Sequence, residues 1–272
     1  DITGNADIVA DLGNINWDDH NIGHLDAVVH LAAKTSVPES MRMPDEYERV
    51  NGLGTRSLFD WCVDREIPVV VFASTAAIYG NSQNETKKIG EEGEAESPYA
   101  TTKKRGEEIA ESFSGKNTRF VSLRFFNVYG PGQDLQGGYS AVIPAFFKRA
   151  IEGKELCIFG NGEQTRDFVH VSDVCEAIIG SIENCSKEFS IYNVGTGYGT
   201  SINEIVELIK KLALKYDLPP LSISYHESRA GDVNHSIASV EGLHEIMEIQ
   251  SMRPLESGLE ELMQLSIRRK EE

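Results

Sequence analysis

The sequence has no long hydrophobic run and carries little positive charge. No apolar stretch approaches the length of about 18 residues that a membrane-spanning helix needs, and residues 1–7 have neither the basic nor the apolar character of a signal peptide. Lysine and arginine total 26 against 43 aspartates and glutamates, a formal net charge of −17. Because nucleic acids and most membrane surfaces are anionic, we expect no nucleic-acid and no membrane partner, and a cytoplasmic location.

Cysteine is also scarce. Cys62, Cys157, Cys175 and Cys185 are scattered, without a C-x-x-C pair and without histidine at ligand spacing. This pattern predicts reduced thiols and no metal site. The chain is 40% apolar and 25% charged over 272 residues, which is ordinary for a globular protein that buries a substantial core in one or two domains.

Apolar runs and helical patterns alternate through the first half of the chain. Three near-continuous apolar runs have the pattern of parallel strands covered on both faces, and they lie at 25–33, 68–74 and 120–125. A shorter strand-like run covers 7–12, helical spacing fills 44–65, and the acidic stretch 81–96 is typical of a surface loop. This order predicts an α/β fold with a doubly wound parallel sheet.

The character of the sequence changes near residue 128, where glycines mark an irregular segment. The later patterns predict helices at 143–151, 173–182, 202–216 and 255–265, and strands within 158–171 and at 191–195. We predict one domain over 1–128, to which segments near 168–196 return, and a smaller mixed α/β domain over 129–272.

A candidate catalytic pair follows the acidic loop. Ser97 is a good helix N-cap and Pro98 is favoured at the first helical position, so a helix is expected to start here. Tyr99 and Lys103 would then share one helix face. An ammonium near a phenol lowers the phenol pKa from its usual value of about 10, which is how a tyrosine becomes a general base. Taken alone, such a pair is more often part of a solvated helix face.

Ser74 and Thr75 end a predicted strand, at the sheet edge where ligands bind in open α/β folds. With several motifs in order, they make the chain resemble the extended short-chain dehydrogenase/reductase family, in particular its NAD-dependent epimerases and dehydratases. The motifs are Leu31-Ala32-Ala33, Asn51-Gly52-Leu53-Gly54-Thr55, Phe72-Ala73-Ser74-Thr75-Ala76-Ala77-Ile78-Tyr79-Gly80, Tyr99 with Lys103, and Arg124-Phe125-Phe126-Asn127-Val128-Tyr129-Gly130-Pro131-Gly132. The resemblance implies a Rossmann-like NAD-binding domain followed by a nucleotide-sugar-binding domain.

The resemblance also implies roles for single residues. It assigns catalysis to Thr75, Tyr99 and Lys103. It implies NAD contacts for Asp11, Leu12, Leu31, Ala32, Ala33, Thr35, Asn51, Ser74, Tyr99, Lys103 and Phe125. It implies UDP-sugar contacts for Thr75, Asn127, Val142, Phe159, Arg166, Arg229, Asp232 and Ser236, with the two arginines on the diphosphate. His170 is expected to be structural.

The family opens with a strand, a Gly-x-x-Gly-x-x-Gly turn and a helix that binds the NAD diphosphate. Nothing before Asp11 matches that unit, so the resemblance predicts that roughly 45–50 residues of it are missing and that the chain could be an inactive fragment. Gly195-Thr196-Gly197-Tyr198-Gly199 precedes a predicted helix, but no second strand ending in an acid closes a βαβ unit after it. We interpret that turn as structural.

The residues after Thr75 bear on the reaction. Family dehydratases carry an Asp-Glu pair there and decarboxylases a nearby Glu, whereas this chain has Ala76 and Ala77. The resemblance therefore favours 4-epimerisation of a UDP-sugar through a 4-keto intermediate. The small Ser236 at the position of the family's sugar gate predicts UDP-GlcNAc/GalNAc as well as UDP-Glc/Gal. The alternatives are a UDP-glucuronate epimerase, another NDP-sugar-modifying enzyme, and a non-catalytic regulator that binds an NDP-sugar or NAD.

A homodimer is expected from the resemblance alone. Family members commonly pack the helix at 45–65 and the Tyr99 helix into a four-helix bundle between subunits. Phe59, Trp61, Ile109 and Phe113 are apolar enough for that interface. Each of them could equally well face the sheet.

Overall fold

The computed structural model describes residues 1–3, 6–133, 142–228 and 233–271. The strands are β1 (Ala27–His30), β2 (Val69–Thr75), β3 (Thr86–Lys87), β4 (Arg119–Phe125), β5 (Asn127–Tyr129), β6 (Leu156–Phe159), β7 (Thr165–Arg166), β8 (Phe168–His170), β9 (Phe189–Val194), β10 (Thr200–Ser201), β11 (Ile223–His226) and β12 (His235–Ala238). The α-helices are α1 (Val37–Arg42), α2 (Pro44–Tyr47), α3 (Gly54–Asp64), α4 (Pro98–Ser112), α5 (Val142–Ile151), α6 (Val171–Asn184), α7 (Ile202–Lys215) and α8 (Leu255–Glu271).

A parallel sheet in the order β1-β2-β4-β9 forms the centre of the fold. Its apolar residues alternate between two cores. Val70 and Phe120 pack against α3 and α4 on one face, and Val71 and Val121 pack against α6 on the other. Burial on both faces explains why the runs are mostly apolar. The sheet confirms the predicted doubly wound α/β fold.

The second half of the chain builds a separate core. Helices α5, α7 and α8 pack around the two-stranded sheet of β6 and β11, with Phe147, Ile205 and Met263 fully buried. Two further small sheets, β10-β7-β12-β3 and β5-β8, connect this core with the central sheet. β9 pairs with β4, so part of the segment 168–196 does lie in the central sheet. The domain division at residue 128 stays a prediction.

The predicted helix at 44–65 is interrupted. Residues Glu48–Leu53 form a π-helical segment between α2 and α3. The side chain of Asn51, 1% exposed, leaves this segment to bond the Lys34 backbone twice, at 2.8 Å to its N–H and 2.8 Å to its carbonyl. A π-bulge changes the direction of side chains within a helix, and here it delivers the amide to the loop after β1.

Two sequence predictions of local structure are wrong. Residues 7–12 are not a strand, because the N–H of Ala10 donates to the carbonyl of Asp1 and the Asp11 carboxylate caps the following turn at Gly13. The acidic stretch 81–96 contains β3, which pairs with β12. Such pairing between segments far apart in sequence has no local signal. In the part of the chain that the structure describes, no helix is both long and apolar enough to cross a membrane.

Candidate active site

The start of α4 presents Tyr99 and Lys103. The Ser97 hydroxyl accepts the Ala100 N–H at 3.2 Å, and Pro98 is the first helical residue. This is the N-terminus that the sequence predicts. Both side chains therefore leave the first turns of α4 beside the carboxyl end of β2.

The hydroxyl of Thr75 interacts with the phenol of Tyr99 and acts to lower its pKa. Thr75 also accepts the N–H of Ala77 at 3.1 Å, which fixes its side chain. Burial raises the pKa of Tyr99, and the Thr75 hydroxyl only partly offsets this rise. The expectation of a lowered phenol pKa is therefore wrong for this geometry.

Lys103 lies one helical turn beyond Tyr99 and bonds the backbone of β2. Its ammonium Nζ donates to the carbonyl of Ala73 at 2.7 Å and lies 4.8 Å from the ring centroid of Phe72. Burial lowers the pKa of Lys103 to about 8, so the ammonium stays mostly protonated at pH 7.

Ser74, expected to contact NAD, points elsewhere. Its hydroxyl is buried and donates to Oε1 of Glu107 at 2.5 Å. Glu107 in turn accepts two hydrogen bonds from the Arg124 guanidinium. The contact of Ser74 with the cofactor stays a prediction. Glu107 is absent from the site residues predicted from sequence, although it follows Lys103 by four positions, the spacing of one helix face.

A cavity of about 650 Å³ opens at the carboxyl end of β1. Five residues expected to contact NAD line it together, namely Asp11, Leu12, Leu31, Ala32 and Ala33. Thr35 is exposed and lies outside this lining. Phe125 packs against the core between the central sheet and α6, and Asn51 holds the Lys34 backbone.

Arg49, which the sequence analysis did not single out, forms an ion pair with Asp11 in this cavity. Arg49 Nη2 lies 2.7 Å from Asp11 Oδ2 and 2.8 Å from Glu46 Oε1. The hydrogen bond from Arg49 lowers the pKa of the Asp11 carboxyl. Asp11 is therefore kept as a carboxylate at the rim of the cavity.

One of the residues expected to bind the UDP-sugar, Phe159, lines a second cavity. This cavity of about 280 Å³ is lined by Phe159, Gln164 and His235, among others. Arg166 on β7 and Ser236 on β12 are register partners, and Arg166 Nη1 donates to the carbonyl of Thr165 at 2.8 Å. The remaining predicted contacts lie on β5 (Asn127), at the start of α5 (Val142), and outside the described residues (Arg229 and Asp232).

Two backbone N–H groups of the glycine turn 195–199 donate hydrogen bonds to a carboxylate of the same chain. The fully buried carboxylate of Asp167 accepts the N–H groups of Thr196 at 2.8 Å and Gly197 at 2.9 Å. It also accepts the N–H of Ala238 on β12 at 3.1 Å. Because these amides already serve a carboxylate, they do not form a diphosphate cradle, which supports the structural interpretation of this turn.

Comparison with known proteins decides the family. Residues 9–195 match the model of the NAD dependent epimerase/dehydratase family. The chain belongs to this family. A putative UDP-glucose 4-epimerase of Methanocaldococcus jannaschii is 34% identical over 192 residues, which cover 70% of this chain and 62% of that relative.

Solved structures of family members share the fold. UDP-N-acetylglucosamine 4-epimerase from Methanobrevibacter ruminantium, in complex with UDP-N-acetylmuramic acid, superposes with a TM-score of 0.86 at 34% identity, covering 96% of this chain and 83% of that one. UDP-glucose 4-epimerase of Thermus thermophilus, in complex with NAD, gives a TM-score of 0.76 at 30% identity, covering 89% and 78%.

NAD is the cofactor of the family, and the residues beside β1 suit it. Leu31 and Leu12 give the 650 Å³ cavity apolar walls, and the Asp11 carboxylate supplies a hydrogen-bond acceptor at its rim. Apolar walls with one placed polar group are what a nucleoside-sized ligand requires. Tyr99 and Lys103 lie at the end of the neighbouring strand β2.

His170 and the expected dimer residues have structural positions. The buried ring of His170 accepts the N–H of Ser172 at 3.2 Å and caps α6, as a structural histidine would. Four expected interface side chains instead belong to the core between α3, α4 and the sheet, namely Phe59, Trp61, Ile109 and Phe113. A homodimer stays a prediction, and it would need other side chains.

Proposed function

We propose that this chain carries the active site of an NAD-dependent epimerase that inverts C4 of a UDP-sugar. The observation that carries the proposal is the grouping of Thr75 and Tyr99, which interact at the carboxyl end of β2, with Lys103 one helical turn away. A strand-end hydroxyl, a phenol and an ammonium suit the removal of a proton from a sugar hydroxyl.

In this reaction Tyr99 is the base. Thr75 holds the sugar 4-hydroxyl by a hydrogen bond, and Tyr99 takes its proton as the C4–O bond becomes a carbonyl. Bound beside β1, NAD would supply the acceptor for the hydride that leaves C4 and the hydride for the later reduction. After the 4-keto sugar turns its other face to the site, Tyr99 returns the proton to the oxygen, and the 4-hydroxyl has the opposite configuration.

The residues next to Thr75 favour this reaction over elimination. Ala76 and Ala77 begin the 3-10 turn Ala76–Tyr79 that follows β2. Loss of water from the sugar needs an acid and a base beside the reacting carbons. Neither alanine has an ionisable group. The residues at the carboxyl end of β2 therefore favour oxidation of the sugar followed by its re-reduction.

The substrate side of the proposal depends on Ser236 and Arg166. These register partners place a small side chain and a cation on adjacent strands beside the Phe159 cavity. A guanidinium suits a diphosphate, and a small side chain leaves space for a 2-acetamido group. We therefore propose UDP-GlcNAc/GalNAc together with UDP-Glc/Gal as substrates.

The test is a conversion assay with NAD and each of UDP-Glc, UDP-GlcNAc and UDP-glucuronate, with the epimers separated by chromatography. We expect conversion of the first two, and we expect Ser236→Tyr to lose the acetylated substrate while keeping UDP-Glc. Conversion of UDP-glucuronate alone would contradict the proposed substrate class. If nothing is converted and equilibrium dialysis shows no retention of NAD, the proposal fails for this chain.

A further inference from the structure

Three consecutive residues at the end of β2 each contact one residue on a single face of α4. Two of the contacts are hydrogen bonds, with 2.7 Å from Lys103 Nζ to the Ala73 carbonyl and 2.5 Å from the Ser74 hydroxyl to Glu107 Oε1. The third is the interaction of the Thr75 hydroxyl with Tyr99. The helix residues are spaced by four, so they share one face of α4, and two hydrogen bonds fix this face to the strand.

Close packing of α4 on β2 accompanies these bonds. A Cβ atom at Gly106 would lie 2.6 Å from Cζ of Phe72, nearer than atoms pack. The helix backbone therefore approaches the strand more closely than any larger residue at 106 would allow. This proximity lets the short Ser74 side chain reach Glu107.

Arg124 ties Glu107 to the next strand. Arg124 is the register partner of Ser74 across β2 and β4. It binds Glu107 in the bidentate manner, with Nε 2.9 Å from Oε1 and Nη2 2.7 Å from Oε2. The two side chains are 4% and 5% exposed. Such a buried pair has a fixed geometry, and loss of one partner leaves a buried charge without compensation.

The same guanidinium reaches the loop before α4. Arg124 Nη1 bonds Glu92, and its centre lies 5.0 Å from the ring centroid of Tyr79. Glu92 belongs to the acidic stretch that ends in the Ser97 cap. The Glu107–Arg124 pair therefore contacts both the body of α4 and the segment that leads into it.

We propose that Glu107, held by Arg124, is a positioning residue that keeps Tyr99 beside Thr75. Its effect on turnover rests on the proposed epimerase function, whereas its effect on the position of Tyr99 concerns this chain alone. Without Glu107 the body of α4 loses its bond to Ser74, and the whole helix, including Tyr99 at its start, can shift along β2. A misplacement of about 1 Å can reduce an enzymatic rate on the order of 100-fold.

The first test titrates Tyr99 in the intact chain. The ultraviolet absorbance of each variant is compared with that of the same variant carrying Tyr99→Phe. The difference reports the ionisation of the Tyr99 phenol and not of the other tyrosines. Ser74→Ala removes the bond to Glu107 without a change of charge. We expect the titration midpoint of Tyr99 to move to higher pH, because the interaction with Thr75 that lowers it is weakened.

Double variants test whether the effect of Glu107 on Tyr99 acts through Thr75. Thr75→Val should move the midpoint in the parent chain but add little in the Ser74→Ala or Glu107→Gln background, because the same interaction is already weakened. Ile109→Ala, a core change elsewhere on α4, is the matched control. It should lower the melting temperature and leave the midpoint unchanged. An unchanged midpoint in folded Ser74→Ala would overturn the proposal.

The second test separates this inference from the proposed function. If the parent chain converts a UDP-sugar, Glu107→Gln should lower kcat by about 10- to 100-fold and leave KM within about twofold, because the UDP contacts lie on other elements. Equal kcat in parent and variant would refute the positioning role while the epimerase proposal stands. If the parent converts nothing, the epimerase proposal fails, and the Tyr99 titration still decides the role of Glu107.

Discussion

Tyr99 combines two features that matter at the scale of single residues. Its phenol interacts with Thr75, and its burial raises its pKa. Lys103 bonds the backbone of β2, so the phenol depends on Thr75 for its orientation.

Replacing Tyr99 by Phe tests the base directly. We expect Tyr99→Phe to reduce epimer formation about 1,000-fold or more, since it removes the group that takes the proton. Calorimetric titration with UDP-GlcNAc should give a Kd within about twofold of the parent value, because the ring is kept and the UDP contacts lie on other elements. Near-normal turnover in this variant would exclude Tyr99 as the base.

At the scale of single elements, α4 packs closely on β2 at Gly106, where a Cβ atom would lie too near the ring of Phe72. The ring of Phe72 is fully buried and stacks on His30, with ring centroids 5.5 Å apart, so it has little freedom to yield to a larger residue at 106. We expect Gly106→Ala to lower the free energy of unfolding by about 1–3 kcal/mol, as overpacking does. Gly23→Ala, which meets no atom within 4 Å, is the matched control. Urea unfolding measures both, and equal stabilities would contradict the tight contact.

Asp167 joins three elements through one carboxylate. It bonds the glycine turn after β9 and the backbone of β12, and it follows Arg166 on β7. Asp167→Asn keeps the shape but replaces one acceptor oxygen by a donor, which leaves buried N–H groups unpaired. We expect a loss of about 2–4 kcal/mol in urea unfolding.

The same substitution should also raise the KM for the UDP-sugar, because β12 carries Ser236. Asn161→Ala provides a comparison in a loop that lines the substrate cavity away from this carboxylate. It should leave the unfolding free energy within about 0.5 kcal/mol of the parent. A parent-like stability for Asp167→Asn would show that the glycine turn does not depend on the carboxylate.

For the whole molecule, stability should fall in mild acid because of His30. This side chain is only 3% exposed, and burial lowers its pKa from 6.5 to about 3. The folded state therefore keeps it neutral while the unfolded chain takes up a proton, so stability present above pH 6.5 is lost as pH falls toward about 3. The slope for one such group is about 1.4 kcal/mol per pH unit.

Unfolding free energies measured at about pH 7.5 and pH 5 test this, with an expected contribution from His30 of about 2 kcal/mol. His30→Leu combined with Thr55→Val removes the titrating ring together with its buried partner, which lies 2.8 Å from Nε2. The double variant should lose less stability than the parent between these pH values. His24→Gln, at an exposed position, should behave like the parent.

The sequence by itself determined the features that depend on neighbouring residues. Apolar runs fixed the strands of the central sheet, because a strand covered on both faces has few polar positions. Ser97 and Pro98 fixed the start of α4, since capping is a local hydrogen bond. Motif order also led to the family, which the comparison of residues 9–195 confirms.

Only the tertiary structure decided where the charges lie and what they do. Glu107 meets Ser74 across 33 residues and Arg124 across 17, and Arg49 meets Asp11 across 38. No local pattern encodes such contacts, because they arise when the sheet brings distant segments together. The direction of the Tyr99 pKa shift was likewise set by burial. Spacing along the chain predicts which side chains share a face, whereas their solvation and partners depend on what packs against that face.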